Sequence, residues 1–347
     1  MKTWRIGIVG AGLIAEFHAK AIGDIENACV AGFCSRGGKS AESLCAKFGG
    51  KVFSDYEVMA QDEDVDILIL ATPSGFHAEP AIAAAKNSKH VLCEKPLEIT
   101  LERLDSMIDA HEKSGTKLGC IFQNRFADSM APLRGAIEQG RFGTVTYAGV
   151  YVPWWRSEEY YSDSWHGTQK LDGGGALMNQ SIHMIDMMCD LMGQIRSVAA
   201  FTSDRGHSDI EVEDSATAAV KFEDGVIGVI YGSTASWPGH PKRFEIMGTK
   251  GSAVWVDEKL VTWQFADARP EDDEIRAKFG GQTGEGKGSS DPAAISYELH
   301  KRSIESFISW IEGRGEYPVD ARAARESVAV ILAIYESAKT GRAVDVL

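Results

Sequence analysis

Trp4-Arg5-Ile6-Gly7-Ile8-Val9-Gly10-Ala11-Gly12-Leu13-Ile14-Ala15 is the stretch whose reading decides the fold. An apolar run of strand length stops at a glycine, and a helical pattern follows over Ile14 to Ile22. Between them stands Gly10-x-Gly12-x-x-Ala15, in the strand-to-helix setting that a dinucleotide-binding turn requires. Gly10 serves the tight turn, Gly12 lets a pyrophosphate approach the backbone, and Ala15 lets helix and strand pack closely. Leu13 and Ile14, at the start of the helix, belong to the same expected cofactor site.

The alternation continues from there. A second strand is expected over Cys29 to Cys34 and a second helix over Ser40 to Phe48. Asp66 to Ala71 reads as a buried strand, His77 to Asn87 as a helix with alanines on one face, and His90 to Glu94 as the next strand. A helix over Leu101 to Ser114 and a strand over Lys117 to Phe122 complete the series. Strands and helices alternating at this length predict a parallel, doubly wound sheet covered on both faces. The expected division is a Rossmann domain over 1–123 and an α+β domain over 124–347.

In the second part the rhythm changes. Strands are expected over Thr144 to Val152, Ile195 to Ser203, Ser215 to Phe222, Val226 to Thr234, Arg243 to Met247 and Ala253 to Val256, with a hairpin turn at Glu223-Asp224-Gly225. Helices are expected near Pro132 to Gln139, over Ala176 to Met192, and late at Tyr297 to Ile311 and Ala321 to Lys339. The prediction is a large, open, mostly antiparallel sheet. Its uncovered face predicts a homodimer or homotetramer built through that sheet. Residues Asp267 to Asp291, rich in glycine and charge, read as a mobile surface loop or lid.

Bulk composition narrows the function classes. In 347 residues, 44% apolar and 25% charged content is that of a globular protein large enough for two domains. A formal charge of -14, from 50 acidic against 36 basic side chains, opposes nucleic acid and anionic membrane surfaces, leaving a small molecule as the expected partner. Six scattered cysteines without a Cys-x-x-Cys pair fit a reducing compartment. Met1-Lys2-Thr3-Trp4 runs directly into the first strand, and no apolar stretch approaches membrane-spanning length, so a cytoplasmic location is expected.

The cofactor and the chemistry are read from three further places. An acid at the end of the second strand would favour NAD, but this strand ends Phe33-Cys34-Ser35-Arg36, followed by Lys39. Ser35 and Arg36 suit a 2′-phosphate, so NADP is favoured over NAD; the alternative is Arg36 stacking on adenine with either cofactor. Glu94-Lys95-Pro96 ends an apolar strand where a parallel sheet presents its carboxyl end to the cofactor, and Pro96 rigidifies the turn that aims the Lys95 ammonium. The third place is Gly173-Gly174-Gly175-Ala176-Leu177-Met178-Asn179-Gln180-Ser181-Ile182-His183. There three glycines let backbone crowd a ligand, and Asn179 and His183 share a helix face. Taken alone, His183 reads as a satisfied helix histidine. A metal is not expected, because Asn179 is a poor ligand and no second His or Cys falls at ligand spacing. The methionines from Met178 to Met192 read as core.

These residues resemble the glucose-fructose oxidoreductase / inositol dehydrogenase (Gfo/Idh/MocA) family, along essentially the whole chain. The likeness rests on the glycine turn, Ala71-Thr72-Pro73-Ser74-x-x-His77, Glu94-Lys95-Pro96, Arg125-Phe126, the 173–186 stretch, Gly248-Thr249-Lys250-Gly251 and the closing Ile334-Tyr335-x-Ser337-Ala338. It implies a Rossmann domain followed by an open-sheet domain, and NAD(P)-linked hydride transfer at a secondary carbinol of a sugar, polyol or glycoside. It also implies that Lys95 and His183 flank the reacting hydroxyl as the catalytic pair. Thr72, Pro73, Ser74 and His77 would line the nicotinamide side, with Glu94 and Arg125 also at the cofactor. Many members carry Asp where this chain has Asn179; members resembling nucleotide-sugar and glycoside 3-dehydrogenases carry Asn followed by Gln, as Asn179-Gln180 does here. An amide cannot take a proton, so the base is expected to be His183, whose imidazole type titrates near ~6.5 against ~10.4 for lysine. Trp154, Arg156, Trp165 and His166, with Asn179 and Gln180, are expected at the sugar, aromatic faces stacking on pyranose C–H faces; an aromatic subunit contact is the alternative. A non-catalytic protein of this fold that senses dinucleotide and sugar is the competing functional class.

Overall fold

The structure, a computed structural model, describes residues 2–162, 165–281 and 296–346. The chain divides into two compact units, one of 1–123 with 296–325 and one of 124–295 with 326–347.

The first unit is built on β1 (Trp4–Val9), α1 (Leu13–Gly23), β2 (Ala28–Cys34), α2 (Lys39–Phe48), β3 (Lys51–Phe53), α3 (Tyr56–Gln61), β4 (Ile67–Leu70), α4 (Ala78–Lys86), β5 (His90–Cys93), α5 (Leu101–Ser114) and β6 (Leu118–Cys120). Its six strands are all parallel, in the order β3-β2-β1-β4-β5-β6. The order reverses between β1 and β4, the switch point where such sheets bind ligands beyond the strands' carboxyl ends. Ile67 to Leu70 are all buried, which explains an apolar run without alternation. Helix α5 is stopped at both ends by local chemistry: the Thr100 hydroxyl accepts from Arg103 N, and Gly115 closes the helix at a φ of 69°. β3 and α3 are too short for a periodicity to announce them; Asp55, capping Val58 N, is their clearest local signal.

The second unit opens with α6 (Met130–Glu138) and β7 (Val145–Pro153), and its next helix is α7 (Ile182–Met192). Then follow β8 (Ile195–Ser203), β9 (Ser215–Phe222), β10 (Ile227–Ser233), β11 (Arg243–Gly248), β12 (Gly251–Val256) and β13 (Lys259–Phe265), before α8 (Pro270–Phe279). Helix α9 (Glu298–Ile311) lies in the first unit, α10 (Ala321–Thr340) starts there and continues in the second, and β14 (Val344–Asp345) ends the chain. The eight-stranded sheet runs β13-β12-β11-β7-β10-β9-β8-β14, antiparallel except for the β7–β10 pair. Alternating burial along β9 (Ala216, Ala218, Val220 and Phe222 inward) marks one covered face. The β9–β10 hairpin turns at Gly225, with φ of 90°.

Three expectations are corrected. The second part is not one continuous domain from 124 to 347: residues 296–325 belong to the first unit, where α9 packs on α1. The segment expected to be a loop from Asp267 to Asp291 contains α8. Pro270 starts that helix, acids fill its first turn and Arg276 and Lys278 its last. Asp272 anchors it, accepting from Arg141 at 2.7 and 2.8 Å and from Trp263 Nε1 at 2.7 Å. Residues 282–291 of the expected loop lie outside the described residues. Finally, the helix expected over Ala176 to Met192 begins as a π-helical turn, Ala176–Ser181, before continuing as α7.

Candidate active site

In the first unit the glycine turn behaves as its residues require. Gly10 has φ of 111°, and a Cβ there would stand 2.2 Å from Ala71 O, so only glycine fits. A Cβ on Gly12 would meet nothing within 4 Å: the backbone is bare at the start of α1, where unpaired N–H groups and the helix dipole attract phosphate. Leu13 is 52% exposed at this opening. Thr72 Oγ1 is buried and has no hydrogen-bond partner, a polar group awaiting one. These observations fit a bound dinucleotide.

β5 delivers Lys95 to the same carboxyl edge of the sheet, two strands from β1. Around it the backbone is pinned. The Lys95–Pro96 bond is cis, and His77 sits with Nδ1 at 2.9 Å from Pro96 O and Nε2 at 3.0 Å from Thr72 O. His77, at 1% exposure, thus ties the Thr72-Pro73-Ser74 segment to the Lys95 turn. Glu94 is also buried, its Oε1 at 2.8 Å from His18 Nε2 and its Oε2 accepting from Lys95 N at 3.2 Å. Burial alone would raise the Glu94 carboxyl, but the hydrogen bond with His18, with the Lys95 ammonium nearby, holds it down at about 2. Glu94 is therefore an anion beside Lys95. At the end of β2, Ser35 Oγ accepts from Ala41 N at 3.2 Å, and Arg36 is exposed, followed by Gly37 and Gly38 at φ of 86° and 79°.

In the second unit the π-helical turn presents Asn179 and Gln180, and His183 follows in the first turn of α7; Asn179 and His183 are half-buried. The turn is held from outside its own sequence. Glu213 caps it, accepting from Gly175 N at 2.9 Å, Leu177 N at 2.8 Å and Tyr335 Oη at 2.9 Å. Burial pushes the Glu213 carboxyl above its ordinary range, against these three donors. Two of the glycines make room for this arrangement: a Cβ on Gly174 would fall 2.1 Å from Tyr335 Oη, and one on Gly175 would fall 1.8 Å from the backbone Glu213 O. Below the turn, Asp186 takes a bidentate Arg125 at 2.6 and 2.7 Å. Burial lifts the Asp186 carboxyl to about 6 in spite of that cation.

Arg125, expected at the cofactor, thus has its guanidinium on Asp186 and, at 2.8 Å, on Asp190. Trp154 and Arg156 are buried, at 6% and 4% exposure, with the guanidinium 5.1 Å from the Trp154 ring and 5.6 Å from that of Tyr160. Trp165, His166 and Tyr160 do form a half-buried stack, with centroids 3.7 Å apart for Trp165–His166 and 4.3 Å for Tyr160–His166. Gln180 Nε2 donates to Tyr160 Oη at 3.1 Å, joining this stack to the π-helical turn, while Gln180 Oε1 is buried with no partner. The sequence reading gave no place at the site to Glu213, Asp172 or Tyr335, although Tyr335 stands in the closing motif that carries the resemblance. Asp172, immediately before the glycines, had a local signal as well; Glu213 had none.

A parallel sheet with a glycine turn at its switch point and a lysine at its carboxyl edge defines the first unit as that of a dinucleotide-dependent oxidoreductase. Residues 4–122 match the oxidoreductase family with NAD-binding Rossmann fold, and residues 130–254 match the GFO/IDH/MocA C-terminal domain. The chain belongs to the Gfo/Idh/MocA family. It is 31% identical to the WlbA dehydrogenase of Bordetella pertussis, solved with NADH and UDP-GlcNAcA, covering 100% of this chain and 98% of that one with a TM-score of 0.90. It is also 28% identical to the 1,5-anhydro-D-fructose reductase of Ensifer adhaerens (100% of this chain, 99% of the relative). The D-glucoside 3-dehydrogenase of Escherichia coli is 26% identical (98% and 97%). Among the described residues no helix is long and apolar enough to cross a membrane.

Proposed function

We propose that the protein moves a hydride between a nicotinamide cofactor and a secondary hydroxyl or keto carbon of a sugar, glycoside or sugar derivative, with carbon three of a pyranose the favoured position. The observation that carries this reading is Lys95 at the carboxyl end of β5, in the sheet whose β1–α1 turn is bare for a dinucleotide. The bound cofactor supplies the hydride acceptor or donor. His183 takes the hydroxyl proton during oxidation and returns it during reduction; Lys95, its charge balanced by the buried Glu94, stabilises the alkoxide that develops. Gly10, Gly12, Leu13, Ile14, Thr72, Pro73 and Ser74 hold the cofactor, and His77 keeps their loop against the Lys95 turn. Asn179 and Gln180, with Trp165 and His166, hold the sugar; Trp154 and Arg156 support that stack from within. A panel of hexoses, inositols, glycosides and nucleotide sugars with both oxidised cofactors tests the reading by absorbance of the reduced nicotinamide. No turnover with any of them would overturn it.

NADP over NAD is the finer proposal, supported by exposed Arg36 and Lys39 beyond a strand end without an acid. In Arg36→Ala, KM for NADP should rise on the order of tenfold with KM for NAD little changed; equal changes would favour adenine stacking. A homodimer or homotetramer through the open sheet face is supported by Phe201 at 76% and Ile227 at 58% exposure, beside Tyr151 and Tyr231 on the same side. Light scattering of the purified protein tests it, a monomer being the contrary result. Six free cysteines support a reducing, cytoplasmic setting.

A further inference from the structure

Asp172 has no part in the reaction as described, yet it is 1% exposed and both its oxygens are engaged. Oδ1 accepts from Asn179 Nδ2 at 2.7 Å, and Oδ2 accepts from Gly167 N at 2.9 Å. A carboxylate only accepts, so this contact fixes the Asn179 amide one way round: nitrogen on Asp172, carbonyl oxygen turned away from it. Asp172 is itself fixed by the loop before it. Its own N donates to Thr168 O at 3.0 Å, Thr168 Oγ1 donates to Trp165 O at 2.7 Å, and Glu211 N donates to Gly167 O at 2.8 Å. The loop carrying Trp165 and His166 and the turn carrying Asn179 and Gln180 are therefore joined through one buried carboxylate.

We propose that Asp172 is a positioning residue that makes Asn179 an acceptor: the amide oxygen takes a hydrogen from a substrate hydroxyl, and the site selects a sugar with a donor at that position. The proposal rests on the dehydrogenase reading above. Its sharpest consequence concerns Asp172→Asn. Gly167 N still needs an acceptor, so the new amide places its oxygen there and its nitrogen toward Asn179, which must flip and offer its own nitrogen to the substrate. Donor and acceptor are exchanged at the site while the packing volume is kept.

The test compares wild type, Asp172→Asn, Asn179→Asp and the double exchange, using the sugar and cofactor found active in the panel. Asp172→Asn should lower kcat/KM on the order of tenfold or more, because the substrate hydroxyl then faces a donor. Asn179→Asp sets two carboxylates in contact and should lose a similar amount. The double exchange restores one amide and one carboxylate with an oxygen toward the substrate, and should recover to within about threefold of wild type. A purely structural Asp172 would give lowered melting temperatures without this rescue; unchanged kcat/KM in Asp172→Asn, or a double variant no better than the worse single, would overturn the proposal. Absence of turnover in wild type would instead remove the dehydrogenase reading, and the proposal with it.

Discussion

Lys95 and His183 are held by opposite means. Lys95 follows a regular parallel strand, and its turn is fixed by hydrogen bonds to backbone carbonyls and by one buried acid–histidine contact, Glu94 with His18. His183 follows a π-helical turn, and three buried carboxylates, Asp172, Asp186 and Glu213, take the donors that shape its surroundings. A regular sheet edge positions a side chain through its ladder, which every strand supplies. An irregular turn has no ladder and needs acceptors brought from elsewhere, each of which is costly if left unpaired.

The largest effects should separate chemistry from stability. Lys95→Ala and His183→Ala should each cut kcat/KM by about 10²–10⁴, with little change in urea midpoint; a near-normal rate in both would end the catalytic assignment. Arg125→Ala should do the reverse. It leaves Asp186 buried without its bidentate cation, and should destabilise by about 3–5 kcal/mol in urea unfolding. A loss below about 1 kcal/mol would mean that the buried carboxylates are not what holds the second unit.

Glu213→Gln sharpens the same contrast at smaller scale. One acceptor oxygen becomes a donor facing N–H and O–H groups, for an expected loss of about 1–3 kcal/mol together with weaker sugar binding. Glu94→Gln, at the regular edge, should change the Lys95 chemistry more than stability, seen as a shift in the pH profile of kcat/KM. Equal stability losses in the two variants would erase the distinction.

The smallest expected effect is a difference in pH dependence between the units. In the first, burial holds His90, His111 and His300 at about 4, below the ~6.5 of an unfolded histidine. Unfolding therefore takes up protons between these values, and the first unit loses stability as pH falls from ~6.5 toward 4. In the second, Asp186 is raised to about 6, so its folded form holds the proton more tightly and that contribution improves as pH falls through 6. Amide exchange at pH 7 and pH 5 should show protection declining first in β4, β5 and α9; an even decline across both sheets would contradict this.

What was legible follows the same division. The glycine turn, the alternation to residue 122, the Glu94-Lys95-Pro96 strand end and most strands of the second sheet have local signatures of period, capping and turn chemistry. Asn179, Gln180 and His183 were read on a helix, but the π-helical geometry was not, since it is held by Glu213, 36 and 38 residues from its backbone partners, and Tyr335, 122 residues from Glu213. Of the glycines before the turn, Gly174 leaves room for the Tyr335 hydroxyl and Gly175 for the backbone carbonyl of Glu213, neither of which a local pattern announces. α8 has local start and stop signals in Pro270 and the charges of its end turns, but no apolar stripe: its one buried residue is Asp272, whose partner Arg141 lies 131 residues away.

By itself, then, the sequence determined the parallel sheet and its dinucleotide turn, because those depend on contacts among near neighbours and on residue chemistry. Tertiary structure alone decided which way the Asn179 amide lies, where Arg125 directs its charge, and that residues 296–325 return to the first unit. Each depends on a buried polar or apolar group finding its complement far along the chain, and no local pattern encodes that meeting.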